Sequence, residues 1–231
     1  MITTIAFDAD DTLWHNERIF LSTKDKFTAL LAEYQDKNWI EQHLDETETE
    51  NIKHFGYGVK GFTLSMIETA CELSEGRITG DKIKQIIGFA KEMLASPIEV
   101  LDGVKETIEE LSGEYRLMCI TKGDLLDQEA KLARSGLGDY FDALEIVPRK
   151  IAQTYQTILT KHNISKNDFV MVGNSLKSDI LPVVEIGARA VFVPYESEWF
   201  HEAVTDEELE GKEFARIEQF SDLPVWIKKT G

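Results

Sequence analysis

From residue 98 onward, short apolar segments alternate with segments whose apolar residues recur at helical spacing. We predict strands over 117–121, 143–147, 169–172 and 190–193, separated by helices over 104–111, 125–135, 151–162 and 176–187. Short apolar strands that alternate with helices are typical of a parallel sheet covered by helices on both faces. The sequence therefore predicts an α/β fold with a doubly wound parallel sheet.

A further apolar run, residues 2–7, opens the chain and has no neighbouring strand in the sequence. Helical spacing dominates the next eighty residues, and we predict helices over 16–34, 39–55, 63–73 and 80–94. The first strand remains without a partner unless it joins the downstream sheet. We therefore predict an α/β core formed by residues 1–14 and 98–231, interrupted by an all-helical domain formed by residues 15–97. The tail is expected to add a short strand at 215–217 and an edge helix at 222–227.

The opening strand leads directly into Asp8-Ala9-Asp10-Asp11-Thr12. In an extended segment, side chains two residues apart point the same way and lie about 6.6 Å apart along the chain. Asp8 and Asp10 can thus flank one reacting group, while Asp11 faces elsewhere. One carboxylate can attack a phosphorus atom or bind a cation, and the other can donate and withdraw a proton. Spacing alone equally allows a strand that ends in an acidic turn.

Three later strand ends also carry polar residues. Thr121 ends one predicted strand, Lys150 follows the next, and the segment GNSLKSD (173–179) follows the third. With the opening Asp-Ala-Asp-Asp-Thr, they resemble the four motifs of the haloacid dehalogenase-like hydrolase superfamily, in order. The resemblance spans nearly the whole chain. It implies a Rossmann-like core with a helical cap inserted between the first and second motifs.

The resemblance assigns chemical roles to the first motif. Asp8 would be the nucleophile and form an aspartyl-phosphate, which divides a difficult hydrolysis into two easier steps. Asp10 would protonate the leaving alcohol and then deprotonate the attacking water. Dehalogenating members of the superfamily generally lack an acid at this second position, because a halide leaves without a proton. Asp10 therefore favours phosphoryl chemistry.

The second and third motifs would bind the transferring phosphoryl group. Thr121 resembles the hydroxyl that hydrogen-bonds this group, and main-chain N–H groups of Lys122 and Gly123, at the start of a helix, could assist it. A Thr that merely ends a strand and faces solvent is the alternative. Lys150 would neutralise the charge of the nucleophile and the phosphoryl group, although Arg149 beside it leaves the register open by one residue.

The resemblance also implies a Mg²⁺ ion held by the Asp8 carboxylate, the Asp10 main-chain carbonyl and an acid of the fourth motif, since this cation prefers oxygen ligands. In this sequence the fourth motif reads Gly173-Asn174-Ser175, so Asn174 takes the place of the Asp in the usual Gly-Asp-Ser. An amide oxygen can still bind the ion, but the lost charge costs on the order of a few kcal/mol of attraction. Asp179 either binds the ion directly or orients its ligands, and the sequence leaves both open.

A glycine-rich stretch, GYGVKGF (56–62), lies between two predicted helices of the insertion. We interpret residues 55–62 as a loop that contacts the substrate, with Tyr57 and Phe62 available for apolar contact and Lys60 for a second anionic group. A plain helix-to-helix linker whose aromatic residues pack the insertion's own core is the competing interpretation.

The formal net charge of −17 argues against a nucleic-acid partner, which requires clustered Lys and Arg. No apolar run approaches the roughly 20 residues needed to cross a bilayer, and the start lacks the pattern of a signal peptide. We therefore expect a cytoplasmic protein with a small phosphorylated substrate, without nucleic-acid or membrane partners. It would be a monomer or a homodimer.

Together these features predict a Mg²⁺-dependent phosphatase that hydrolyses a small phosphorylated metabolite, of the nucleotide or sugar phosphate type, through an aspartyl-phosphate. One alternative is a phosphomutase of the same superfamily, which would pass the phosphoryl group to a second hydroxyl. The other is a non-catalytic, ligand-binding relative in which Asn174 marks the loss of the metal.

Overall fold

The computed structural model describes residues 1–196, 202 and 204–230. The described residues form a six-stranded sheet in the order β3-β2-β1-β4-β5-β6, and all of its strand pairs are parallel. The strands are β1 (Thr4–Phe7), β2 (Arg116–Lys122), β3 (Ala143–Val147), β4 (Phe169–Gly173), β5 (Arg189–Phe192) and β6 (Ala215–Arg216). The predicted doubly wound α/β fold is confirmed.

Ten α-helices are found in the described part of the chain. They are α1 (Glu17–Leu31), α2 (Lys37–Phe55), α3 (Val59–Leu73), α4 (Gly80–Ala95), α5 (Val104–Ser112), α6 (Leu125–Ser135), α7 (Ala152–Lys161), α8 (Leu181–Glu185), α9 (Asp206–Leu209) and α10 (Leu223–Thr230). None of the described helices is both long and apolar enough to cross a membrane.

The chain divides into two compact units. The first comprises residues 1–17, 98–122 and 128–231, and it contains the sheet. The second comprises residues 18–97 and 123–127, and it is helical. This second unit covers the stretch predicted as the insertion, with the additional segment 123–127 that links β2 to α6. Whether it acts as a cap over a site stays a prediction.

The strand β1 lies inside the sheet between β2 and β4, and all four of its residues are buried. Its side chains alternate between two apolar layers, with Ile5 and Phe7 in one and Ala6 in the other. Phe7 pairs in register with Cys119 on one side and Val172 on the other. The polar residues that follow these strands therefore meet at one edge of the sheet, where ligands bind in such folds.

The helical unit has its own apolar core, which is formed by residues from α1 to α4. Phe62 lies in this core, and its ring centroid is 5.2 Å from that of Phe20. Two of the helices begin at side chains that satisfy otherwise unpaired N–H groups. Asp36 accepts from the N–H of Trp39, and Thr79 accepts from the N–H of Lys82.

The helix predicted over 63–73 begins earlier, at Val59, so the predicted loop over 55–62 is wrong in its second half. Gly56 and Gly58 have φ values of 74° and 118°, which side-chain-bearing residues rarely adopt. These two glycines break the chain between α2 and α3. After Gly58 the backbone is free to be helical.

The helix predicted over 176–187 is replaced by a π-helical turn, Leu176–Ile180, followed by the short helix α8. Pro182 lacks the N–H that an α-helix would direct to the carbonyl of Ser178. The hydroxyl of Tyr155 donates to that carbonyl instead, at 2.9 Å. The wide turn keeps Asp179 close to the end of β4.

Candidate active site

Asp8 directly follows β1 and continues its pairing, because its N–H donates to the carbonyl of Val172 at 2.9 Å. The residue is only 8% exposed, and Lys150 donates a hydrogen bond to its Oδ1. Burial and the nearby carboxylate of Asp179 raise the pKa of Asp8 to about 7, against the opposing effect of Lys150. A carboxylate held beside a cation in a nearly dry environment is suited to nucleophilic attack.

Lys150 is buried and its Nζ joins two carboxylates, those of Asp8 and Asp179. Burial alone would lower the pKa of Lys150, but these two carboxylates raise it above its ordinary value, so the side chain is charged. The neighbouring Arg149 is exposed. The geometry thus favours Lys150 over Arg149 as the cation of the third motif.

Both carboxylate oxygens of Asp179 are occupied within the protein. Oδ1 accepts from Lys150 Nζ at 2.7 Å, and Oδ2 accepts from the N–H of Ser175 at 3.0 Å. Gly173 makes room for this arrangement, since a Cβ there would overlap the Asp179 carboxylate. Asp179 therefore positions Lys150 and the turn after β4.

Asp10 is held by three side chains that all donate to its carboxylate. Trp14 Nε1 lies 2.8 Å from Oδ1, Gln128 Nε2 lies 2.8 Å from Oδ2, and Lys131 Nζ lies 3.1 and 3.2 Å from the two oxygens. Gln128 and Lys131 belong to α6. The carboxylate of Asp10 is thus fixed separately from that of Asp8, which is bound to Lys150.

Asp11 does not share the environment of the other two acids. It has a φ of 61°, and its carboxylate accepts from the N–H groups of Asn16 and Glu17 at the start of α1. Burial raises the pKa of Asp11 to about 6, although these hydrogen bonds oppose the shift. Asp11 therefore caps the first turn of the helix.

Thr121 is buried near the end of β2, and its hydroxyl donates to the carbonyl of Lys122 at 3.2 Å. The side chain of Lys122 donates to Ser178 Oγ at 2.9 Å and to Glu202. Gly123 follows with a φ of 129° and opens the segment that belongs to the helical unit. The structure thus keeps Thr121 and Lys122 in the unit that contains Asp8, but not Gly123.

Glu202 was not predicted from the sequence. Its carboxylate accepts from Lys122 Nζ and from Ser175 Oγ. Burial would raise the pKa of Glu202, but Lys122 and the hydroxyl groups around it lower it to about 2. The carboxylate is therefore charged and compensates the charge of Lys122.

Asn174 lies where three polar groups converge. The amide atom that faces them is 2.9 Å from Thr12 Oγ1, 3.2 Å from the main-chain oxygen of Asp10 and 3.3 Å from Asp8 Oδ2. If this atom is nitrogen, it donates to all three groups. If the amide is turned by half a rotation, the atom is oxygen, and it accepts from the Thr12 hydroxyl.

In the second orientation, the amide oxygen of Asn174 faces the main-chain oxygen of Asp10 at 3.2 Å and Asp8 Oδ2 at 3.3 Å. This donor set fits Mg²⁺, a hard cation that takes carboxylate, carbonyl and amide oxygens. Among the described residues there is no cluster of three or more His, Cys, Asp or Glu side chains that could hold a metal. A metal here would rely on the amide and the main-chain carbonyl.

Tyr57 and Lys60 lie in the helical unit. Tyr57 is half-buried, and Lys60, in the first turn of α3, donates to Asp124 at 2.9 and 3.0 Å. Gly58 approaches the same segment, since a Cβ there would lie 3.3 Å from the N of Asp124. Phe62 belongs to the apolar core of the helical unit and not to a contact surface. This agrees with the competing interpretation, in which the aromatic residues pack the insertion's own core.

Gln128 and Lys131 were also not predicted from the sequence. Both lie on the face of α6 that is turned toward the end of β1, and both are nearly inaccessible to solvent. The sequence shows only two polar residues three positions apart in a predicted helix, which place both side chains on one face. Their partner, Asp10, is more than a hundred residues away in the chain.

Comparisons with known proteins identify relatives of this chain. The profile of the haloacid dehalogenase-like hydrolases matches residues 2–187. The Escherichia coli 5-amino-6-(5-phospho-D-ribitylamino)uracil phosphatase YigB is 26% identical over 209 residues, which cover 83% of each chain. The mouse N-acylneuraminate-9-phosphatase is 31% identical over 94 residues, 38% of each chain.

Among solved structures, a haloacid dehalogenase-like family hydrolase from Xanthomonas campestris superposes with a TM-score of 0.88. It is 38% identical, and the alignment covers 99% of this chain and 91% of that one. The curated relatives are named as phosphatases, so the chain is a hydrolase related to phosphatases. On the match of the family profile over most of its length, the chain belongs to the haloacid dehalogenase-like hydrolase family.

Proposed function

We propose that this protein is a Mg²⁺-dependent phosphatase that hydrolyses a small phosphorylated metabolite through an aspartyl-phosphate on Asp8. The observation that carries the proposal is the separation of two carboxylates at the end of β1. Asp8 is paired with the buried Lys150, whereas Asp10 is held by Trp14 and residues of α6. Different environments suit two carboxylates for different roles.

In the first half of the reaction, a carboxylate oxygen of Asp8 attacks phosphorus, and the bond between phosphorus and the ester oxygen breaks. Asp10 gives its proton to that oxygen, so the product leaves as a neutral alcohol. Lys150 compensates the negative charge that Asp8 and the phosphoryl group bring together. Thr121 is placed at the neighbouring strand end, where its hydroxyl can donate to a phosphoryl oxygen.

In the second half, Asp10 is a carboxylate and withdraws a proton from water as the water oxygen attacks phosphorus. The bond between phosphorus and the Asp8 oxygen breaks, which releases inorganic phosphate and restores Asp8. Asp10 ends the cycle protonated, ready for the next ester. One pair of acids thus accounts for both steps without a further proton donor.

Mg²⁺ would be held by the Asp8 carboxylate, the Asp10 main-chain oxygen and the Asn174 amide oxygen. When bound, the ion supplies positive charge to the phosphoryl oxygens. We assign the direct contact to Asn174 rather than to Asp179, because the Asn174 amide lies 3.2 Å from the Asp10 main-chain oxygen and 3.3 Å from Asp8 Oδ2. Asp179 is instead bound to Lys150 and to the N–H of Ser175.

The substrate we propose is a phosphate monoester of a small metabolite, of the nucleotide or sugar phosphate type. The relatives' names support it, since one refers to a phosphoribitylamino-uracil and the other to an N-acylneuraminate phosphate. A net charge of −17 argues for a small ligand over a long polyanion.

The experiment is a phosphate-release assay on the purified protein, with an aryl phosphate and with a panel of phosphorylated metabolites. We expect turnover with Mg²⁺, loss of turnover with a chelator, and release of free phosphate without any added bisphosphate. A requirement for a bisphosphate would instead favour the phosphomutase. Absence of turnover on every compound at saturating Mg²⁺ would favour the non-catalytic relative.

A further inference from the structure

Three side chains donate hydrogen bonds to the carboxylate of Asp10, whereas an acid at the surface can be hydrogen-bonded by water alone. We propose that Lys131 and Gln128 are positioning residues that hold this carboxylate in the orientation needed for proton transfer to and from the substrate. This inference rests on the proposed function, because it gives these residues a role only if Asp10 moves a proton.

Lys131 contacts both oxygens of Asp10, at 3.1 and 3.2 Å, and so fixes the plane of the carboxylate. Lys131 is 9% exposed, so solvent screens its ion pair with Asp10 less than it screens an ion pair at the surface. Its Nζ also donates to Asn16 Oδ1 at 2.9 Å. The ammonium group therefore keeps an acceptor during the part of the cycle in which Asp10 carries a proton.

Gln128 ties Asp10 to the main chain beyond Thr121. Its Nε2 donates to Asp10 Oδ2 at 2.8 Å and to the carbonyl of Lys122 at 3.0 Å. The amide cannot be turned over, because its oxygen would then face these two acceptors. Gln128 thus links the group that moves the proton to the strand end that carries the phosphoryl-binding hydroxyl.

This link leaves one atom of Gln128 unsatisfied. Its Oε1 is buried and has no hydrogen-bond partner among the described residues. A buried acceptor without a donor is destabilising, and an apolar side chain of similar size would avoid that cost. A glutamine that served only to fill space would be a poor choice at this position.

Trp14 completes the arrangement from the other side, with its Nε1 2.8 Å from Asp10 Oδ1. Donors from the turn after β1 and from α6 therefore converge on one carboxylate. General acid–base catalysis depends on such alignment, and small displacements of the proton-transfer group are costly. The fixed carboxylate is what we expect Lys131 and Gln128 to contribute to the rate.

The test compares two substrates, an aryl phosphate with a good leaving group and an alkyl phosphate that needs protonation. In Lys131→Met we expect kcat/KM to fall about tenfold or more for the alkyl phosphate and less than about threefold for the aryl phosphate. Equal losses on both substrates, or no loss on either, would overturn the inference. Arg134→Met, which removes a positive charge from an exposed position on the same helix, serves as the control and should leave both values unchanged.

A second comparison isolates Asp10 as the route of the effect. In an Asp10→Asn background, adding Lys131→Met should lower kcat/KM less than about threefold for either substrate. The reason is that the effects of residues that act through one group are not additive. An undiminished loss in that background would contradict the inference. If Lys131→Met fails to fold, Gln128→Met is measured in the same way, with the same expected selectivity.

The proposed function can fail separately from the inference. An inactive wild-type protein, or turnover that survives Asp8→Asn, would refute the phosphatase mechanism itself. An active wild type whose Lys131→Met and Gln128→Met variants show no leaving-group selectivity would refute only the role given to α6.

Discussion

Lys150 donates a hydrogen bond to the carboxylate of Asp8, a residue 142 positions earlier in the chain. The contact exists because β1 lies inside the sheet, with later strands on both sides, so distant segments end at the same edge. Lys150 also binds Asp179. The position of β1 thus brings together the first, third and fourth motifs.

For Asp10→Asn we expect a selective defect in formation of the phosphorylated enzyme. The amide cannot supply a proton, so the rate of phosphorylation by an alkyl phosphate should fall about 100-fold or more. The rate with an aryl phosphate, which has a good leaving group, should fall much less. Single-turnover measurements on both substrates test this. Equal losses would count against Asp10 as the acid.

For the metal, we expect Asn174→Asp to lower the Mg²⁺ concentration that gives half-maximal activity, because it restores an anionic oxygen. Asp179→Asn should reduce turnover strongly with little change in that concentration, since it removes the partner of Lys150. Titration of activity with Mg²⁺ measures both. The opposite pattern, with the Mg²⁺ requirement altered only in Asp179→Asn, would transfer the ligand role to Asp179.

Substrate choice is expected to depend on the helical unit. Tyr57→Ala and Lys60→Ala should change the ranking of substrates in a panel while hydrolysis of a small aryl phosphate changes little. Lys60 is paired with Asp124, so Asp124→Asn is the matched control that breaks the pair but keeps the lysine. If both members of the pair give the same new ranking, the effect comes from the ion pair rather than from contact with substrate.

Glu48 in α2 gives a stability prediction that is independent of catalysis. Burial raises its pKa to about 7, against the effect of Lys24, while Asp45 adds to the rise. Between about pH 4.5 and pH 7 the unfolded chain releases this proton and the folded chain keeps it. Stability should therefore fall as pH rises through this window, and Glu48→Gln should remove that loss, which is worth at most about 3 kcal/mol.

Urea unfolding of the wild type and of Glu48→Gln at pH 5 and pH 8 measures this difference. The advantage of the variant should be larger at pH 8. Glu50→Gln, at an exposed position on the same helix, should show no such gain with pH. A constant difference between Glu48→Gln and the wild type at both pH values would contradict a buried, protonated Glu48.

The sheet could be predicted from the sequence, because each buried strand is a continuous apolar run and each helix has a clear period. Asp8 and Lys150 could be indicated too, because both follow strands. The meeting of Gln128 and Lys131 with Asp10 could not, since it depends on how α6 packs against the sheet. The early start of α3 was missed because Gly61, a poor helix former, lies inside it, where a Cβ would be 2.8 Å from the carbonyl of Gly56.

The fourth motif is a second case in which the sequence pattern does not show contacts that form only in the folded chain. Asn174 and Asp179 could not be distinguished by spacing, because both follow β4 within six residues. The proposed assignment to Asn174 rests on the hydrogen bonds that hold Asp179 and on the convergence of oxygens around Asn174. Such contacts depend on a π-helical turn that helical periodicity does not indicate.

Phosphorylation of Asp8 during turnover is the step on which the proposed mechanism depends most. The most direct measurement is mass spectrometry on protein that is mixed rapidly with substrate and Mg²⁺, quenched in acid and digested. We predict a phosphoryl group on the peptide that contains Asp8, and no modified peptide and no turnover in Asp8→Asn. An unmodified Asp8 peptide during turnover, together with activity retained in Asp8→Asn, would contradict the mechanism.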